Sequence, residues 1–122
     1  MNIDDLTIGQ ARDLAKMFGV AQAGGQPAMV QGDGRPVIVR SRDAGVQFGY
    51  LEGYSGSTVY LRDARQMWSW TAAQGGTLLD CAVHGVTGGK FSAVAPAVTV
   101  IGACAIIDVQ PAALDSLKSQ TW

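Results

Sequence analysis

Charge is scarce in this chain. Asp, Glu, Lys and Arg make up 16% of its 122 residues, against ~25% in an average globular chain. A surface this poor in charge points to area covered by other subunits. Only three lysines are present and the net charge is −1, so no general basic field draws the chain to a nucleic-acid backbone. Histidine is nearly missing, and a single His84 excludes the multi-histidine zinc sites. Two cysteines, Cys81 and Cys104, stand outside any C-x-x-C or Cys/His cluster. They read as buried free thiols in a reducing compartment. No apolar run reaches membrane-spanning length, because Pro96, Thr99 and Gly102 interrupt the longest one. The polar, acidic opening MNIDDLTIGQ is unlike a secretory leader. Together these absences lead to the expectation of a cytoplasmic protein with no membrane partner.

Apolar residues are plentiful at 48%, which argues against disorder. A chain of this length can bury a core as one domain, without disulfides or metal. TIGQARDLAKMFG reads as a helix. Thr7 and Gln10 have capping-box spacing, and Ile8, Ala11, Leu14, Ala15 and Phe18 form one apolar stripe. A stretch rich in glycine, with Pro27 and Pro36, then reads as a loop.

After the loop the period changes. PVIVRSR is a β-branched run, AGVQFGYLEGY places Val46, Phe48 and Tyr50 on one face, and STVYLRDA alternates again. RQMWSW extends the last run, past a bend expected at Asp63–Ala64. Short connections make this an antiparallel meander. TLLDCAVHGV reads as a short amphipathic helix capped by Thr77 and Asp80, with Gly88–Gly89 ending it. KFSAVAPAVTVIGACAIIDV gives one or two more strands, with Pro96 at an edge or start and Gly102 at a bend. PAALDSLKSQ gives a terminal helix with Pro111 in its first position.

Candidate chemistry is thin. Cys81 and His84 are three residues apart and can share a helix face, but Cys81 falls on the apolar side and no third group orients the pair. Most of the carboxylates sit where turns and caps use them. This reading expects no catalytic residues, no metal and no cofactor. A binding constellation remains: Arg40 and Arg42 on the first strand, Tyr60 and Arg62 on the third, then Arg65, Trp68 and Trp70. Aromatic faces stack on nucleobases and guanidinium forks pair with phosphates, so these residues have the composition of a nucleotide site. On a regular strand Trp68 and Trp70 would stand side by side. They serve equally well as core or as anchors of a subunit contact.

The segments MNIDDLTIGQARDLAKMF, PVIVRS..AGVQFGYL, VYLRDARQMWSW, LLDCAVHGV and AIIDVQPAA resemble a family of small phage-encoded proteins of unknown function. That resemblance implies a phage source and supplies no catalytic residues. The element order also resembles Sm-like small barrels, in which a helix leads into a strongly bent sheet and subunits pair edge strands into rings. Gly49 would sit where such a strand bends. The Asp and Asn signatures with which that fold contacts RNA have no counterpart here.

The sequence therefore predicts one α+β, mainly β domain over 1–122: an N-terminal helix over 1–19, a loop over 20–36, a strongly bent antiparallel barrel or sheet over 37–110 with a helix inserted at 77–87, and a terminal helix over 111–122. The expected partners are further copies of itself and a nucleotide-type small molecule. The expected role is sequestration without catalysis in the cytoplasm of an infected bacterium. A virion component and a single-stranded nucleic-acid binder are the alternatives, and the sparse lysine counts against the latter.

Overall fold

A computed structural model describes residues 28–122. The helix expected over 1–19 and the first part of the expected loop lie outside the described residues. The rest of that loop holds a two-residue strand, β1 (Val30–Gln31), paired with Tyr54 and Gly53.

The meander follows as β2 (Pro36–Ser41), β3 (Gly45–Ser55) and β4 (Thr58–Ala72). A two-residue connection, Gly56–Ser57, joins β3 to β4, and Gly56 takes the positive φ of 59° that such hairpins favour. β3 and β4 are long enough to take two partners each. β3 pairs with β2 along its first half and with β1 near its end. β4 pairs with β6 (Ala95–Val100) along its first half and β5 (Val86–Phe91) along its second. β7 (Ala103–Asp108) returns to the outer edge of β2. The result is one seven-stranded antiparallel sheet. β6 lies on β4 and β7 on β2, and among the described residues no ladder joins β6 to β7. The sheet is not closed into the barrel that the sequence allowed.

The inserted helix, α1 (Leu78–His84), has the expected capping box: Thr77 accepts from the Leu79 N–H, while the Asp80 carboxylate accepts from the Thr77 N–H at 2.7 Å. It ends three residues earlier than expected. Gly85 (φ 88°) caps it, its N–H donating to the Cys81 carbonyl at 2.9 Å. Val86 therefore opens a strand, and Gly88 and Gly89 lie in the ladder opposite Thr71 and Trp70 rather than ending the helix. A cluster of glycines is a breaker in a helical pattern, but it also suits a strand crossed closely by another backbone. The terminal helix, α2 (Pro111–Ser119), starts with Pro111 as expected and stops short of 122.

Side chains of the sheet fill two cores. On one face Ile38, Phe48, Met67 and Phe91 meet Leu78, Cys81 and Ala82 of α1 and Ala113 and Leu117 of α2. On the other, Val37, Val39, Leu51, Val59, Leu61, Ala64 and Val100 gather with Ile106 against them. These come from β2, β3, β4, β6 and β7. β2 is buried on both faces, which is why PVIV reads as an unbroken apolar run. No helix among the described residues is long and apolar enough to cross a membrane.

Candidate functional site

Phe48 and Tyr50 are two apart on β3 and share a face. Across the ladder Phe48 faces Arg65 and Tyr50 faces Arg62. Two steps on β3 thus span three on β4, and the extra residue makes a bulge. Asp63 has φ 48°, the only positive value among the described non-glycine residues, and Asp is one of the few side chains that adopt it readily. Regular alternation would send Arg62 and Arg65 to opposite faces. The bulge brings both alongside the two rings. Gly49 makes this possible, because a Cβ there would sit 2.8 Å from the Ala64 Cβ.

The result is a cleft of about 350 Å³. Phe48 and Tyr50 supply its rings, Arg62, Arg65 and Lys118 its cations, and Asp63 and the exposed Val94 complete the lining. Arg62 donates from Nε to Glu52 Oε2 at 3.0 Å and from Nη1 to Asp63 Oδ2 at 3.2 Å. Its guanidinium carbon lies 5.0 Å from the Tyr50 ring centre. The hydrogen bond to Glu52, with support from Asp63, raises its pKa above the ordinary arginine value.

Arg65 is different. It is 7% exposed, and burial pulls its pKa below the ordinary value. It donates from Nε to the Ser92 carbonyl at 2.9 Å and from Nη1 to the Lys118 carbonyl at 2.8 Å. Lys118 lies in the last turn of α2, where a positive charge meets the negative end of the helix dipole. Among the described residues no carboxylate pairs with Arg65. Two carbonyls accept its hydrogen bonds and the Phe91 ring centre lies 5.4 Å from its guanidinium carbon, but no described carboxylate neutralises its charge, and its Nη2 makes no described hydrogen bond.

The other residues singled out from sequence lie elsewhere. Tyr60 is half-buried opposite Gly53, two residues before Arg62, and does not line the cleft. Arg40 borders a separate groove of about 340 Å³ with Leu78, Leu79, Ala105 and Ile107. Arg42 projects from the β2–β3 turn, its Nε 3.6 Å from Asp43. A second irregularity, between Met67 and Ser69, separates the tryptophans. Trp68 is 64% exposed with its ring 6.1 Å from Trp122, whereas Trp70 packs against the core. They do not stand side by side. Of the seven described lining residues only Arg62 and Arg65 are among those singled out from sequence; Phe48, Tyr50, Asp63, Val94 and Lys118 are not.

Cys81 is buried in the core and its thiol pKa is pushed up by that burial. Cys104, expected to be buried, is exposed, and its Sγ lies 3.3 Å from the Arg40 carbonyl. It falls on an outer strand that has only β2 as a neighbour. Among the described residues no three His, Cys, Asp or Glu side chains group to hold a metal.

No curated protein and no solved structure matches the chain. Residues 34–117 match the family described as a domain of unknown function, DUF6948. That span runs from just before β2 into α2 and takes in every cleft residue except Lys118, and the chain belongs to this family.

Proposed function

We propose that the protein is a binding module that takes a small, flat, anionic molecule of nucleotide type in the β3–β4 cleft and sequesters it without transforming it. The observation that carries this reading is Arg65: a buried guanidinium with no described carboxylate partner, opening onto a cleft that also holds Lys118, Arg62 and two aromatic rings. A buried charge is costly until a counter-charge meets it. A phosphate is the counter-charge a guanidinium and an ammonium bind best. The Arg62 guanidinium, seated on Tyr50, offers its other side to a base. The described lining residues include no histidine, cysteine, serine or threonine, and sequestration needs none. Given the sequence resemblance to phage proteins, such a module would withdraw a nucleotide signal from an infected host.

Titration calorimetry against a nucleotide panel tests the reading, with wild type beside Lys118→Ala, Arg62→Ala and Trp68→Ala. Binding should fall roughly tenfold or more in the first two, in line with ~1–3 kcal/mol for a lost charge-assisted bond. Trp68→Ala should leave it unchanged. An absence of binding to every nucleotide overturns the proposal.

A second reading, self-association, is favoured by a different observation. From Ser92 to Ile107 the chain has no charged residue, and this span includes β6 and most of β7, each with a ladder on one side only.

A further inference from the structure

Resting on that reading of the cleft, we infer the ligand class: a nucleoside monophosphate, with one phosphate and one base, in preference to a polyphosphate. Charge is distributed unevenly in the site. Arg65 and Lys118 both line the cleft without a described carboxylate partner, and Arg65 Nη1 donates to the Lys118 backbone carbonyl at 2.8 Å. Arg62 is already held by two carboxylates, Glu52 and Asp63. The Arg62 charge is thereby offset twice over, and the five groups together leave one positive charge in excess.

A phosphate monoester carries about −1.5 to −2 at neutral pH. A phosphate between Arg65 and Lys118 would meet two lining cations with no described carboxylate on either. A second and third phosphate have no further unpaired cation to meet among the described lining residues, and a chain extending toward Arg62 meets the carboxylates of Asp63 and Glu52. Like charges brought together in a partly desolvated site cost several kcal/mol. The carboxylate of Asp63 suits a base or sugar instead, because it accepts hydrogen bonds from exocyclic amines and hydroxyls. Size agrees: about 350 Å³ lies at the small end of ligand cavities.

The test is calorimetry on the full chain in metal-free, phosphate-free buffer. The probes are adenosine and uridine 5′-monophosphates, the matching triphosphates, the free nucleosides and inorganic phosphate. At least one monophosphate should bind tenfold or more tightly than its triphosphate, its nucleoside and inorganic phosphate. Glu52→Gln, at an exposed position, should narrow the monophosphate-to-triphosphate gap by strengthening the triphosphate. A triphosphate bound as tightly as the monophosphate in wild type overturns the ligand class and leaves the anion-binding module standing. Inorganic phosphate bound as tightly as the monophosphate also overturns the class, since the rings then contribute nothing. No binding by any probe overturns both readings.

Discussion

Gly49 shows how much one hydrogen atom in place of a methyl group decides. Its missing Cβ lets β3 approach Ala64 at the Asp63 bulge, and the bulge places Arg62 beside Arg65. Gly49→Val should destabilise the fold by ~1–3 kcal/mol, the usual cost of forcing extra methyls into a packed site. Ala64→Gly in the same chain should recover part of that loss, because it removes the atom in the way. Urea unfolding of the single and double variants measures both, and a double variant no more stable than Gly49→Val would show that the strain lies elsewhere. At Arg65, substitution by Met keeps the volume but strands the Ser92 and Lys118 carbonyls. Both carbonyls are only part-buried and can turn to water, so each costs less than the ~1–3 kcal/mol of a fully buried one, and the relief of burying no charge works in the opposite direction. Arg65→Met should therefore change stability less than Gly49→Val does. It should still abolish anion binding, so calorimetry and unfolding of this variant separate binding from folding.

At the scale of elements, local rules carried a great deal. Thr77 and Asp80 were legible as a cap because three-residue spacing is all that a capping box needs. Thr77→Ala should cost ~0.5–2 kcal/mol in thermal or urea unfolding. The Asp80 carboxyl is held below the ordinary aspartate range, chiefly by the Thr77 backbone N–H and then by the Thr77 hydroxyl. A depressed folded-state pKa gives stability that is present above the unfolded aspartate value, near 4. That stability is lost as pH falls through the lower folded value. Asp80→Asn should thus flatten the acid limb of a stability–pH profile below pH 4 and leave the slope above pH 6 as it was. An unchanged acid limb would remove Asp80 from the account.

The same scale explains what sequence could not supply. Counting outward from the Gly56–Ser57 turn pairs Phe48 with Arg65 correctly. It misplaces Tyr50, because one irregularity near Glu52 and another at Asp63 shift the register and then restore it. Bulges obey no simple period, so alternation put Trp68 beside Trp70 and left Tyr50 out of the site. Lys118 is 53 residues from Arg65 in the chain, and nothing local links the end of α2 to the middle of β4. The two described helices, the meander and PVIV as a strand were readable from pattern. The cleft, made by a bulge and a long-range helix contact, was not.

For the whole molecule the open question is what covers its edges. β6 carries no Lys, Arg, Asp or Glu, and β7 carries only Asp108 at its end. Charged side chains are the commonest device by which natural sheets keep edges from pairing, and Pro96 alone blunts the start of β6. Ile101, at the corner between the two strands, is 71% exposed, and Val94 just before β6 is 55% exposed. Apolar surface beside a strand edge that has no ladder among the described residues is the chemistry of a strand-to-strand contact, and a second copy of the chain presents it at the same length. Light scattering at micromolar concentration should therefore give a mass well above the 12.7 kDa of one chain. Thr99→Lys combined with Ile101→Lys puts charge on the exposed side of β6 and its corner, where neither side chain enters a core. The pair should return the protein to a monomer with its melting temperature nearly unchanged and nucleotide binding intact. A wild type that runs as a clean monomer would refute the edge contact. An oligomer that survives both lysines would move the contact to the exposed pair Trp68 and Trp122, where Trp68→Ala should then dissociate it.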